Sequence, residues 1–406
     1  MTALHAASAF DSGPLITRTL SYTNGGLGGS VATSPWASGT TGSWRFVVKL
    51  PETTTQWRIK LRNYDTGSAA TKTALTGKKI IHGDHSRVLA AGSNGSTGSF
   101  IGSTATTIVG ADFTIPGDGS WYTSPWVTAS ADQFSAGVEH LVGINVTAAS
   151  SLAVQAGCGR AWWWSNATSG ADPTIAGSAA TNQTTYIPVD WVIEYQVTSW
   201  RKAYLFVGDS ICEGIMGSRN ATPSPTPLWR NYPNLWAASN NALVTNISLA
   251  GITANAFSFT TIPAWSRVDH SGAAYDAAVI ALGSNDLSTG LRTLAQLQAD
   301  ILTTITNVRA VVGSTKPIYV ATIIARTMAS NGTTPNQTTW ESYRNDYNSW
   351  LVEGGAGVDG VIDMDAATRG TSTSTLWPTY VTTDNIHPAY LGNQQMATAL
   401  AMTIPH

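Results

Sequence analysis

The sequence predicts an α/β protein in two parts, an all-β sandwich of jelly-roll type over residues 1–199 followed by a three-layer α/β/α unit over residues 200–406. Two observations predict this division. The first half consists of short, alternating segments rich in aromatic and β-branched residues, with no long stretch of 3.6-residue apolar period. From Trp200 onward, compact apolar runs alternate with amphipathic helical patterns, as a parallel sheet covered on both faces requires.

In the first half, Ser43 to Leu50 and Gln56 to Leu61 alternate and are punctuated by Pro51. Thr106 to Val109, Glu139 to Val146 and Trp191 to Val197 follow the same style, separated by Gly/Ser/Thr loops. In the second half, parallel strands are expected at Ala203 to Val207, Leu243 to Leu249, Ala277 to Leu282, Ile318 to Ile324 and Gly360 to Met364. Helices are expected over Leu291 to Val312 and Gln337 to Val352, where apolar residues recur at spacings of three and four. A last helix is expected from Tyr390 to Leu400. The strand ending at Val197 runs almost directly into the next, so the two units should pack firmly together.

Hydrophobic residues make up 43% of the 406, enough for large cores, whereas charged residues are only 11% against the usual ~25%. The formal net charge is -2 and there is no basic run, which argues against nucleic acid or an anionic membrane surface as partner. No segment approaches the ~20 apolar residues of a membrane span. Met1 to His5 lacks the basic start of a secretory leader. The two cysteines, Cys158 and Cys212, form no C-x-x-C motif; free buried thiols are expected rather than a disulfide across the two units. His82-Gly83-Asp84-His85 has two potential metal ligands, but without further ligands nearby it reads as a solvated loop, and no metal is expected.

Four short elements carry chemistry. Gly208-Asp209-Ser210 directly follows an apolar strand, so the serine falls at the carboxyl end of the sheet, where open α/β folds bind ligands. A serine hydroxyl needs a base within hydrogen-bond reach to act as nucleophile. Asp384-Asn385-Ile386-His387-Pro388 offers one, because an aspartate three residues before a histidine can orient the imidazole through one nitrogen and leave the other for the serine. Gly283-Ser284-Asn285-Asp286 ends another strand; its Asn285 amide could meet a developing oxyanion, or Asn285 and Asp286 could simply cap the next helix. Gly251, after the strand from Leu243, allows close backbone approach, or is an ordinary turn glycine. Asp209 and Glu213 are expected to be structural. No G-x-S-x-G elbow is present, which argues against a standard α/β-hydrolase.

Taken in order, Ser210, Gly251, Asn285 and His387 resemble the four sequence blocks of the SGNH (GDSL-like) hydrolases, over roughly residues 200 to 406. The resemblance implies a flavodoxin-like three-layer catalytic domain and a serine esterase with no cofactor. It implies Ser210 as nucleophile, His387 as base, Asp384 as its orienting carboxylate, and an oxyanion hole built from Ser210, Gly251 and Asn285. Trp229, Tyr232, Trp377 and Tyr380 are candidate substrate-binding residues, lying in aromatic stretches after the nucleophile and before the histidine. An acetylated polysaccharide or glycan is the expected substrate, with a lipid or short-chain acyl ester as the alternative. A catalytically silent glycan-binding or virion structural protein is the reading from another class. The absence of a leader and the Ser/Thr/Gly-rich composition resemble phage tail-associated esterases, which favours an extracellular or virion-associated site of action.

Overall fold

The computed structural model describes residues 14–23, 32–33, 41–64, 71–85, 98–101, 105–147, 153–166, 182–187, 189–215, 230–327, 336–371, 375–380 and 384–405. Among them, the first half holds two antiparallel sheets. One has four strands in the order β1 (Ile16–Tyr22), β12 (Asp190–Ser199), β4 (Gln56–Arg62) and β8 (Tyr122–Thr123). The other runs β11 (Asn182–Ile187), β10 (Ala153–Asn166), β3 (Thr41–Lys49), β9 (Glu139–Thr147), β5 (Leu75–Asp84) and β6 (Thr106–Val109). Two short strands flank it, β2 (Ala32–Thr33) on β10 and β7 (Phe113–Ile115) on β5.

Alternation in sequence becomes a sandwich core because successive side chains of a strand face opposite ways. On β4, Trp57, Ile59 and Leu61 are fully buried while Gln56, Arg58 and Lys60 are partly exposed. Across the gap, Phe46 of β3 stacks on Trp191 of β12 with ring centroids 4.0 Å apart. Strand β3 is buried on both faces: Val47 joins Ile81, Phe100 and Leu141 in a second, smaller cluster on the outer side.

The second half is a five-stranded parallel sheet in the order β14 (Leu243–Asn246), β13 (Ala203–Gly208), β15 (Ala277–Ala281), β16 (Ile318–Ala321), β17 (Gly360–Ile362). The first strand of the unit thus lies between the second and third. The chain reverses its direction of travel there, which opens a crevice at the carboxyl ends of β13 and β15. Residues of β13 alternate between two cores. Tyr204 and Phe206 pack with Trp236 and Leu400 from α2 (Tyr232–Ser239) and α8 (Tyr390–Thr403). Leu205 and Val207 pack with residues of α5 (Leu294–Val312) and α6 (Gln337–Val352) on the other face. Among the described residues the unit also has four short α-helices: α1 (Ser210–Glu213), α3 (Ala254–Phe257), α4 (Ser284–Ser288) and α7 (Met364–Arg369).

Several elements are shorter than their apolar runs. The strand from Leu243 ends at Asn246, whose side chain accepts from Ser248 N at 3.0 Å, while Ile247 N and Leu249 N still donate to Phe206 O and Gly208 O of β13. The run from Ile318 leaves it after Ala321; Ile323 N then donates to Asn348 Oδ1 at 2.8 Å. Helix α5 begins at Leu294 rather than Leu291. Thr293 and Gln296 form a reciprocal capping box, and Leu291 has a left-handed φ of 50°.

Residues 200–202 join the two regions, which meet through buried polar contacts. Arg18 of β1 pairs with Asp276 at 2.8 Å, and Thr245 Oγ1 of β14 donates to Ser21 O at 2.9 Å. Asp190 accepts from Arg62 at 2.7 Å and from Arg267 at 2.8 Å. Arg62 also reaches Pro263 O and Ser266 Oγ.

Candidate active site

Ser210 is the first residue of α1, immediately beyond the carboxyl end of β13, and is 8% exposed. Local sequence forces this sharp turn. Asp209 Oδ1 accepts from Ile211 N at 2.9 Å and caps the helix, as its expected structural role requires. Burial raises the Asp209 pKa, with the backbone donor at Ile211 opposing it. Gly208 allows the helix to sit directly on the strand, since a Cβ there would lie 2.3 Å from Cys212 Cβ. Glu213 is buried beneath the same turn.

His387 comes from a loop just ahead of α8. Asp384 shapes that loop: its Oδ1 accepts from both Ile386 N and His387 N at 3.0 Å. Between them Asn385 adopts a left-handed φ of 57°, which asparagine tolerates better than most residues. Thr327 N donates to Asn385 O and anchors the loop to the chain leaving β16. The other carboxylate oxygen, Asp384 Oδ2, lies 2.6 Å from His387 Nδ1, and His387 Nε2 lies 2.8 Å from Ser210 Oγ. A carboxylate at Nδ1 keeps the proton of the neutral imidazole there, so Nε2 is free to accept from the serine hydroxyl. The structure brings these three residues into one hydrogen-bonded chain across 177 positions of sequence.

Gly251 and Asn285 lie beyond the ends of the strands on either side of β13. Gly251 has a φ of 74°, and no atom lies within 4 Å of where a Cβ would be. Asn285 sits in the first turn of α4, whose cap is Gly283, so neither Asn285 nor Asp286 caps that helix. The Asn285 Nδ2 group donates to Ile252 O at 2.9 Å, next to Gly251. That bond fixes the amide orientation and leaves its second N–H for another acceptor.

The aromatic candidates divide. Trp229 lies outside the described residues. Tyr232 is a correction: it is fully buried in the core under α2, its ring against Phe206, because Asn231 caps α2 and turns the first residue of that helix inward. Trp377 is 40% exposed, and its ring packs over Gly370. Tyr380 is half-buried; its carbonyl accepts from Ala389 N, which ties the Trp377–Tyr380 turn to the segment carrying His387.

The histidine-containing segment at 82–85 is also corrected. It is no solvated loop: His82 lies within strand β5, which runs on to Asp84, and is stacked on His140 at 5.0 Å and packed against Trp57 and Phe134. Burial, with His140 alongside, lowers its pKa to about 3. His85 pairs with Glu139 at 2.9 Å. Among the described residues no group of three or more His, Cys, Asp or Glu side chains is arranged to hold a metal ion. Likewise, no helix among them is long and apolar enough to cross a membrane. Cys212 is a free, buried thiol pushed up to about 12 by desolvation; the side chain of Cys158 lies outside the described set.

Sequence reasoning missed Arg326. Its guanidinium, 8% exposed, donates to Ser284 Oγ at 3.1 Å. Burial lowers its pKa, opposed by the Asp209 and Asp384 carboxylates. The available signal was an arginine just past the carboxyl end of a parallel strand.

Residues 206–395 match the sequence profile of the GDSL-like Lipase/Acylhydrolase family. No curated protein matches the chain. Similar solved structures include a family two carbohydrate esterase from Clostridium thermocellum in complex with cellohexaose, at 14% identity, covering 94% of this chain and 97% of that one with a TM-score of 0.38. A member of the lipolytic protein G-D-S-L family from Veillonella parvula is 16% identical, covering 49% and 96% with a TM-score of 0.36. A GDSL-like lipase from Bacteroides thetaiotaomicron is 15% identical, covering 50% and 86% with a TM-score of 0.34. The family-model match over residues 206–395 and the five-stranded parallel sheet with helices on both faces agree in making this part of the chain a GDSL-like lipase/acylhydrolase domain.

Proposed function

We propose that the protein is a serine esterase in which residues 200–406 hydrolyse carboxylic esters and residues 1–199 form an accessory β-sandwich domain. The observation that carries this reading is the hydrogen-bonded chain Asp384 Oδ2, His387 Nδ1, His387 Nε2, Ser210 Oγ, with links of 2.6 and 2.8 Å. Ser210 Oγ attacks the ester carbonyl while its proton passes to His387 Nε2. Asp384 stabilises the imidazolium that forms and holds its orientation. The negative oxygen of the tetrahedral intermediate is met by the Ser210 and Gly251 N–H groups and the Asn285 amide. Collapse breaks the bond to the alcohol, which leaves with the His387 proton. Water, deprotonated by His387, then releases the acid and restores Ser210.

An O-acetylated polysaccharide is the proposed substrate. In support, the Asp384 and His387 side chains remain 33% and 15% exposed, and the exposed Trp377 stands on a turn tied to their loop. An open, polar rim with one aromatic suits a bulky glycan bearing a small acyl group.

Hydrolysis of p-nitrophenyl acetate by the wild type and by Ser210→Ala tests the reading. Activity that vanishes with the hydroxyl while the circular dichroism spectrum is retained is expected; equal activity in the variant sinks it. Preference for acetate over octanoate then tests the acyl group, and acetate release from acetylated polysaccharides tests the polymer.

A further inference from the structure

We infer that Asp286 is a positioning residue that clamps the Gly251 loop to the Asn285 turn, so that two donors from separate strands face one point. The inference rests on the esterase reading above. Asp286 has no accessible surface, and its carboxylate spans to a different element. Oδ2 accepts from Ala254 N at 2.8 Å and Oδ1 from Asn255 N at 3.1 Å. These are the first two backbone donors of α3, which have no acceptor within their own helix. Thr253 Oγ1 takes the third, Ala256 N, at 3.1 Å.

The neighbouring Asn285 reaches the same loop through Ile252 O at 2.9 Å. Residues 252, 254 and 255 are thus all held by one dipeptide at the end of β15. Gly251 comes next, with open space where its side chain would be. No packed side chain fixes it, so its position is set by the tethers on either side: the Ile252 N to Leu249 O bond and the Asp286 clamp. Because β13 lies between β14 and β15, the clamp closes across the strand end that carries Ser210. A misplacement of about 1 Å in such a donor costs on the order of 100-fold in rate.

The clamp also gives the site a second proton sensitivity. Burial raises the Asp286 pKa to about 6; the two backbone donors oppose the shift and Asp300 adds to it. The groups facing it are the Asp300 carboxylate of α5, itself paired with Arg292 at 2.7 Å, and the Tyr347 hydroxyl of α6. Protonation places an O–H where an acceptor is needed and releases one of the two tethers. Activity should therefore fall in acid by one proton more than general-base catalysis alone requires, the extra proton being the one on Asp286.

The test is the pH dependence of kcat and KM for p-nitrophenyl acetate, measured on the full chain as wild type, Asp286→Asn and Ser210→Ala. In Asp286→Asn one tether is lost at every pH. The expected result is a fall in kcat of about 10- to 100-fold with KM within about threefold. The acid limb of log(kcat/KM) should steepen toward a slope of two in the wild type and remain at one in Asp286→Asn. Unchanged kcat in a folded Asp286→Asn, a loss confined to KM, or equal slopes would overturn the inference. If Asp286→Asn does not fold, the wild type decides: a one-proton acid limb overturns it. A wild type without Ser210-dependent activity removes the esterase reading instead, and the inference with it.

Discussion

Arg267 donates to Asp190 at 2.8 Å, with neither side chain exposed to solvent. Asp190 belongs to the last strand of the β region and Arg267 to the α/β unit, so the ion pair is a buried junction between them. Arg62 shares the same carboxylate, and burial lowers the Arg267 pKa against the pull of Asp190. Asp190→Asn leaves two guanidinium groups buried without their counter-charge. The expected loss is about 3–5 kcal/mol of stability, read as a lower midpoint in chemical denaturation. A midpoint equal to that of the wild type would show that the pair contributes little.

Asp384→Asn retains the shape of the loop but presents the histidine with a weaker acceptor. The turnover of p-nitrophenyl acetate should drop by about 10²–10⁴, with little change in thermal stability. A variant within a few-fold of the wild type would mean that the carboxylate only shapes the turn through Ile386 N and His387 N.

Asn285→Ala removes one proposed oxyanion donor together with the link to Ile252 O. A fall in kcat of about 10²–10³ is expected. Asn285→Asp preserves size but replaces the donor with a negative acceptor, so it should be no better than alanine. Equal kcat for all three proteins would assign Asn285 to packing.

His82 is neutral in the folded protein, with its pKa lowered to about 3 by burial, whereas the unfolded chain binds a proton near pH 6.5. Between these values the unfolded state holds more protons, so the stability that rests on neutral His82 is full above pH 6.5 and declines as the pH falls. The wild type should lose about 1.5 kcal/mol between pH 6.5 and 5 that His82→Phe does not lose. Parallel stability curves for the two proteins across that range would contradict the assignment.

Cys212 is enclosed beneath the nucleophile turn and its thiol is pushed up to about 12. In a Cys158→Ser background it should not react with Ellman's reagent in native protein and should titrate as one thiol after denaturation. Rapid native reaction would indicate that the turn opens.

How much was legible in the sequence depended on whether the signal was local. Helix α6 and strand β6 begin and end as their patterns predict, because periodicity and capping are short-range properties. The Ser210, Asp384 and His387 chain was legible through motif order, which stands in for distance when the motifs lie at the ends of parallel strands or just before the last helix. Tyr232 was misread since an aromatic residue near a nucleophile looks the same whether it lines a cleft or a core. His82 was misread as loop because glycine and aspartate beside it mimic a turn. The place of Arg326 past a strand end was readable, but its partner Ser284 and that of Asp286 were not: the contacts join residues 42 and 32 positions apart through the sheet order, which no local pattern encodes.

Strand β14 is the margin of the parallel sheet, and β1 of the sandwich lies alongside it, with Thr245 reaching Ser21 O. An uncovered sheet margin is a template for another chain to pair with. Excising the first 199 residues would bare this one and strip Asp276 of Arg18, so the isolated α/β unit should self-associate more readily than the full chain. On that expectation, covering the open margin of β14 is one task the first half performs for the second.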